Sequence, residues 1–147
     1  SRGLGDVYKR QLRNLANIMA SHESLLASAL NIDRGRMNRY CRTVSPAFLE
    51  QLNRKKPQTM AELTDIWYTS QNASYGRSAH YNDSRYHMLN LHATFTKGTV
   101  EFRLFQFDAP SGTRQNGLHA GQLKSYIQLC LALSAMAKPQ APAGGQP

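Results

Sequence analysis

The spacing of apolar residues predicts a chain built mainly from helices. Between Leu12 and Asn31, apolar side chains recur every three or four residues and polar ones lie outside that stripe, which predicts an amphipathic helix. Ser45-Pro46 predicts a second helix start, because Ser caps free backbone N–H groups and Pro fits the first helical turn. Thr59 and Glu62 form a capping-box pattern that opens a third helix, and a last apolar stripe predicts a helix from Leu118 to Ala137.

Residues 86–105 supply the sheet of the predicted fold. Two extended runs flank Lys97-Gly98, and a two-residue turn there would place Leu91 opposite Leu104. In this register the apolar residues share one face, and the opposite face is polar. The polar face carries Asn90, His92, Thr94, Glu101 and Arg103. We therefore predict an α+β fold in which helices cover one face of an antiparallel sheet, with its central hairpin at about residues 86–105.

The two ends of the chain differ from its middle. Residues 1–11 have no initiator Met and no signal-peptide core, and they resemble adapter sequence, so we expect a non-native or disordered leader. Residues 138–147 are rich in Pro and Gly without an apolar period, which predicts a disordered tail. Residues 12–137 then form the fold, which we expect to be the C-terminal part of a longer domain.

The charge of the chain points to an anionic partner. Lys and Arg number 18 against 9 Asp and Glu, a net charge of +9. Such an excess is typical of proteins that bind nucleic acid or phosphorylated small molecules. Arg34, Arg36 and Arg39 lie in a stretch without an apolar stripe, which predicts either a loop that faces an anion or a solvated basic loop. Two cysteines are too few for a disulfide scaffold or a zinc site made from thiolates alone.

Glu101 and Arg103 are the most informative polar pair. They are two apart on a predicted strand, so both side chains point to the same face. A carboxylate can bind Mg²⁺, and a guanidinium can grip a phosphate or a carboxylate with two parallel hydrogen bonds. By spacing alone, an ion pair on a solvated sheet is the more common arrangement. An RNA-binding sheet would instead expose aromatic side chains on this face, which counts against a nucleic-acid partner.

A family resemblance supports the site interpretation. The stretch Arg85-Tyr86-His87-Met88-Leu89-Asn90-Leu91, followed by Gly98-Thr99-Val100-Glu101-Phe102-Arg103, resembles the amidoligase family. This family belongs to the glutamine synthetase and glutamate–cysteine ligase superfamily of carboxylate–amine ligases. The resemblance covers most of Leu12 to Ala137. It implies a partial glutamine synthetase-like catalytic fold and ATP-dependent formation of an amide or peptide bond through an acyl phosphate.

The resemblance also implies roles for particular residues. Glu101 would be a catalytic residue and a Mg²⁺ ligand, and Arg103 would bind the substrate carboxylate or the transferring phosphate. The other residues implied to bind substrate or nucleotide are Asn90, His92, Arg85, Arg34, Arg36 and Arg39. The implied cofactors are ATP and Mg²⁺, and the implied partners are small-molecule or peptide carboxylates and amines. A cytoplasmic location follows from the need for ATP, and no membrane partner is expected.

One departure from the family pattern changes the expectation. The family opens with a strand that carries a Gly-x-Glu-x-Glu-like acidic motif, and this chain has no such paired acids. One glutamate cannot hold two Mg²⁺ ions well, so we expect the chain to be a fragment that is inactive by itself. Two other functions stay open: a basic nucleic-acid-binding module and a non-catalytic interaction domain. The oligomeric state and the identities of the substrates do not follow from the sequence.

Overall fold

The structure, a computed structural model, describes residues 2–104 and 120–138. Within these ranges the elements are α1 (Arg2–Ala29), α2 (Arg34–Arg39), α3 (Pro46–Lys55), α4 (Met60–Ser70), a 3₁₀ turn (Asp83–Arg85), β1 (Leu89–Asn90), α5 (His92–Lys97), β2 (Glu101–Phe102) and α6 (Ala120–Ala137). β1 and β2 pair antiparallel, which confirms the predicted α+β class. None of the described helices is both long enough and apolar enough to cross a membrane.

The helices surround one apolar core. α1 packs against α6, α3 and α4, and α3 also packs against α4. The largest fully buried side chains come from these helices and from the chain around the sheet: Trp67, Tyr68, Phe48, Leu12, Met19, Leu52, Leu63, Met88, Leu89, Leu91 and Leu104. α1 begins at Arg2, upstream of the predicted start at Leu12, and the foreign origin of residues 1–11 stays a prediction. Residues 139–147 of the predicted tail lie outside the described residues.

The predicted caps of α3 and α4 are confirmed. The Ser45 hydroxyl accepts a hydrogen bond from the backbone N–H of Phe48 at 3.3 Å, which satisfies one free donor at the start of α3. The Thr59 hydroxyl accepts from the N–H of Glu62 at 3.1 Å in the same way. The capping box is shifted by one residue, because the Glu62 carboxylate accepts from the N–H of Gln58 at 2.8 Å.

The predicted hairpin is wrong in its register and in its turn. Leu89 lies opposite Phe102 and Asn90 lies opposite Glu101, whereas the prediction placed Leu91 opposite Leu104. Residues 92–97 form helix α5 instead of the end of a strand. Gly98 ends this helix with a positive φ of 78°, in the left-handed conformation that glycine adopts without strain. The sheet is therefore shorter than predicted, and a helix connects its two strands.

The arginine-rich stretch is also not a loop. Arg34 to Arg39 form the short helix α2, whose N-cap is Asp33. The Asp33 carboxylate accepts a hydrogen bond from the backbone N–H of Arg36 at 3.1 Å. After α2, Arg42 forms an isolated parallel bridge with His87, so this segment lies beside the residues that lead into β1. The N–H of Met88 donates to the carbonyl of Arg42 at 2.7 Å in this bridge.

Candidate substrate-binding cleft

A cleft of about 230 Å³ lies beside the sheet. Its described lining residues are Ser78, His80, Arg85, Asn90, His92, Ala93, Thr96, Lys97 and Glu101. Four of them, Arg85, Asn90, His92 and Glu101, are residues that the sequence predicted for a site. They come from the loop before β1, from both strands and from the start of α5, so the fold brings the predicted site residues together at one surface.

The Glu101 carboxylate lines the cleft, and each of its two oxygens accepts a hydrogen bond. Asn90 and Glu101 are directly opposite each other in the sheet, and the Asn90 amide donates to Glu101 Oε2 at 2.9 Å. Arg103 Nη1 donates to Glu101 Oε1 at 2.9 Å. Asn90 is 1% exposed, and its Oδ1 accepts from the N–H of Ala93 at 3.4 Å at the start of α5. Because both donors are held by the fold, the Glu101 carboxylate is pre-oriented toward the cleft.

Arg103 lies behind Glu101 and does not line the cleft among the described residues. Its Nε donates to the carbonyl of Tyr40 at 3.2 Å, and its guanidinium is 5.4 Å from the centre of the Tyr86 ring. The side chain is 17% exposed, against 41% for Glu101. Arg103 therefore holds Glu101 in place and connects β2 to the end of α2. Its implied role in binding the substrate stays a prediction.

Arg85 is the predicted arginine that does reach the cleft. It lies at the end of the 3₁₀ turn, and its guanidinium is 5.5 Å from the centres of both the Tyr81 and Tyr86 rings. Its Nη1 donates to the carbonyl of His80 at 3.2 Å. Contacts between a guanidinium and aromatic faces restrict the side chain without neutralising its charge. Arg85 therefore presents a positioned cation at the cleft.

His92 lines the cleft but uses both ring nitrogens inside the protein. Nε2 is 2.9 Å from the carbonyl of Ala79, and Nδ1 is 2.6 Å from the hydroxyl of Tyr68. Burial lowers the pKa of His92, and the nearby charges of Arg85, His80 and Lys97 lower it further. A neutral ring fits this geometry, with Nε2–H donating to Ala79 and Nδ1 accepting from Tyr68. His92 thus holds the loop before β1, and its implied role in binding the substrate stays a prediction.

The three arginines of α2 are not brought into the cleft. Arg34 and Arg39 are exposed on α2, and neither is among the described residues that line the cleft. Arg36 is half-buried, and its Nη2 donates to the carbonyl of Arg103 at 3.1 Å. Arg36 thereby ties α2 to the residue that holds Glu101. The nucleotide-binding roles that the resemblance implied for these arginines stay predictions, and the geometry directs two of them to solvent.

Sequence reasoning missed Ser78, His80, Thr96 and Lys97, which also line the cleft. Ser78 and His80 lie in a long polar loop whose Ser- and Tyr-rich composition was a general signal of function. Thr96 was assigned to the end of a hairpin strand and Lys97 to the hairpin turn, where a lysine is ordinary. Only the formation of α5 turns Lys97 into a residue of the cleft, because it becomes the last residue of that helix.

The described residues do not fit a complete magnesium site. Mg²⁺ requires near-octahedral coordination by oxygen atoms, usually including one or two carboxylates. Among residues 2–104 and 120–138, no group of three His, Cys, Asp or Glu side chains could hold a metal ion. Glu101 is the carboxylate that the described lining contributes, and each of its oxygens already accepts a hydrogen bond. Glu101 could supply one ligand, so we assign no chemical step to a metal.

A protein-family model matches most of the chain. The model of a protein family described as putative amidoligase enzyme matches residues 3–134. This range includes the whole of the described cleft and most of α6. No curated protein and no solved structure matches the chain.

Proposed function

Because this chain belongs to the putative amidoligase family, we propose that it forms the substrate-binding part of an ATP-dependent carboxylate–amine ligase. The family supports a ligase that acts on small molecules. The membership of the wider glutamine synthetase-like superfamily, the use of ATP and the acyl-phosphate route are parts of the proposal. One observation carries it: a carboxylate fixed by Asn90 and Arg103 faces a cleft whose described lining also includes the cations Arg85 and Lys97.

The chemistry requires a site that can hold several anions. An oxygen of the substrate carboxylate attacks the terminal phosphorus of ATP, the bond to ADP breaks, and an acyl phosphate forms. The amine nitrogen then attacks the acyl carbon, phosphate leaves, and the amine gives up a proton to form the amide. Negative charge builds in both steps, and positioned cations stabilise it. Arg85 and Lys97 supply positive charge at the cleft beside which these steps would take place.

Glu101 would act on the amine side of the reaction or as one ligand of a magnesium ion. Its carboxylate is the negative group of the described lining, so it would attract an ammonium group or a metal rather than a second carboxylate. The two hydrogen bonds from Asn90 and Arg103 keep it in one orientation. The Glu101 carboxylate would therefore be in position before the substrate binds, and it would not need to reorient in the transition state.

The test is a ligase assay on the product of the full reading frame that contains this chain. Release of ADP is measured with pooled carboxylates and amines, and the products are identified by mass spectrometry. We expect ADP release that requires both pools, and a loss of at least about 100-fold in the Glu101→Gln variant. Glu50→Gln is the matched control, because Glu50 is exposed on α3 outside the described cleft lining.

Two results would contradict the proposal. One is ADP release that is the same with and without the amine pool, since that would indicate an ATPase rather than a ligase. The other is an unchanged rate in Glu101→Gln, which would remove Glu101 from the site. The thermal unfolding midpoint of each variant shows whether a lost rate reflects a lost fold.

A further inference from the structure

Lys97 has a position that neither the sequence pattern nor the family motif assigns. It is the last residue of α5 and lines the cleft with its neighbour Thr96. Its backbone position is fixed, because the N–H of Gly98 donates to the carbonyl of Thr94 at 3.0 Å and closes the helix. No hydrogen bond or ion pair to the Lys97 ammonium is formed by the residues in 2–104 and 120–138. An exposed lysine beside a cleft, held at a fixed backbone position, is available to a ligand.

The loop before β1, which carries Ser78, His80 and Arg85, is held by hydrogen bonds within the protein. Asn82 is buried, and its amide donates to the carbonyls of Ala73, Tyr75 and Gly76 at 3.0, 3.2 and 3.2 Å. These bonds fold the loop before β1 back on itself. Farther along, Trp67 Nε1 donates to the hydroxyl of Ser84 at 3.0 Å. The loop that carries Ser78, His80 and Arg85 into the cleft is therefore fixed before any ligand arrives.

The charges of the described lining do not cancel. Glu101, the carboxylate of the described lining, forms its ion pair with Arg103, which does not line the cleft among the described residues. Among residues 2–104 and 120–138, no ion pair to Arg85 or Lys97 is formed, and both side chains line the cleft. Burial lowers the pKa of His92, and the charges of Arg85, His80 and Lys97 lower it further. A positive field in a concave site favours an anion.

We propose that Arg85 and Lys97 form an anion subsite in this cleft, which takes a carboxylate or phosphoryl group carried by the substrate. Arg85 supplies a planar fork for two oxygen atoms, and Lys97 supplies a point charge with rotatable donors. The Ser78 hydroxyl lies in the same lining and can donate to a further oxygen. This inference deepens the proposed ligase function, because it gives the substrate an acidic group besides the carboxylate that reacts. The volume of about 230 Å³ suits one small group.

The experiment measures anion binding without nucleotide, so it is independent of turnover. Isothermal titration calorimetry compares inorganic phosphate, succinate and acetate as probes with the chain as it stands. We expect phosphate or succinate to bind, and Lys97→Gln and Arg85→Gln each to weaken that binding at least tenfold. The matched controls are Lys55→Gln and Arg54→Gln. Lys55 is an exposed lysine at the last position of α3, as Lys97 is at the last position of α5.

The outcomes separate the possible ligands and the two proposals. Binding of phosphate alone assigns the subsite to a phosphoryl group, and binding of succinate alone assigns it to a carboxylate. The inference is overturned if neither phosphate nor succinate binds. It is also overturned if Lys55→Gln weakens binding as much as Lys97→Gln does, because that would indicate attraction by net charge only. Anion binding that Lys97→Gln abolishes, together with no ligase turnover, would retain the subsite and reject the proposed function.

Discussion

Replacement of Glu23 by Gln should remove a pH-dependent loss of stability. Glu23 lies on α1 with 5% of its surface exposed, and its Oε2 accepts from the backbone N–H of Val44 at 2.8 Å. Burial raises the pKa of this carboxyl from 4.5 to about 7, although the bonds to Val44 and to the Thr43 side chain favour the charged form. Glu23 therefore binds a proton more tightly in the folded chain than in the unfolded chain.

The sign and the size of the effect follow from this difference. Between pH 4.5 and about 7, the folded chain holds a proton that the unfolded chain has lost, so the free energy of unfolding falls as the pH rises. At 1.36 kcal/mol for each pKa unit, the full shift sets a ceiling of about 3 kcal/mol. Residual hydration of a charged group in a folded protein lowers the real cost, so we expect about 2 kcal/mol.

The Gln variant isolates this effect. Its side-chain oxygen can still accept from Val44, and it carries no proton that titrates. Urea unfolding at pH 4.5, 6 and 8 should show Glu23→Gln more stable than the natural chain at pH 8 by about 2 kcal/mol, with the gap closing toward pH 4.5. Glu50→Gln, on the exposed side of α3, is the control. A gap that does not change with pH would refute the reasoning.

Two further predictions concern the buried polar groups near the cleft. Burial lowers the pKa of His87, whose ring centre is 5.9 Å from that of Trp67, the single tryptophan. Acidification should therefore change the tryptophan fluorescence with a midpoint below 6.5, and it should destabilise the fold as the pH falls through that range. The His87→Gln variant should abolish the fluorescence step. A midpoint above 6.5 would contradict this. Asn82→Ala should lower the free energy of urea unfolding by about 2 to 3 kcal/mol, because it leaves buried backbone groups without partners. The same variant should weaken anion binding. An equal loss of stability in the exposed Asn38→Ala control would argue against this reasoning.

Local signals in the sequence were sufficient for the helices α3, α4 and α6. A cap depends on residues within one turn, so Ser45 and Thr59 specify their helix starts without help from the rest of the chain. The α6 bounds, Ala120–Ala137, agree with the predicted span from Leu118 to Ala137. The antiparallel pairing of the two motif strands was also predicted, but not its register, which places Asn90 opposite Glu101.

The segment 91–97 shows where sequence reasoning failed. Leu91 and Phe95 are four apart, so they share a face in a strand and also in a helix. Gly98 is equally suited to a hairpin turn and to the end of a helix. The tertiary contacts favour the helix, in which Phe95 lies 6.3 Å from Trp67 and 6.0 Å from Tyr68 between ring centres. A window of seven residues cannot separate the two periods by itself.

The sequence by itself determined the α+β class, the helix caps and which polar residues the two strands carry, because each depends on neighbours in the chain or on a short repeat. Only the tertiary structure decided that Arg103 supports Glu101 from behind, that His92 holds a loop, and that Lys97 faces the cleft. Each of these roles depends on contacts across many residues, such as the bond from Arg103 to Tyr40 and that from His92 to Ala79. The chemistry of a side chain follows from its residue type, whereas the partners that it can reach depend on how the chain packs.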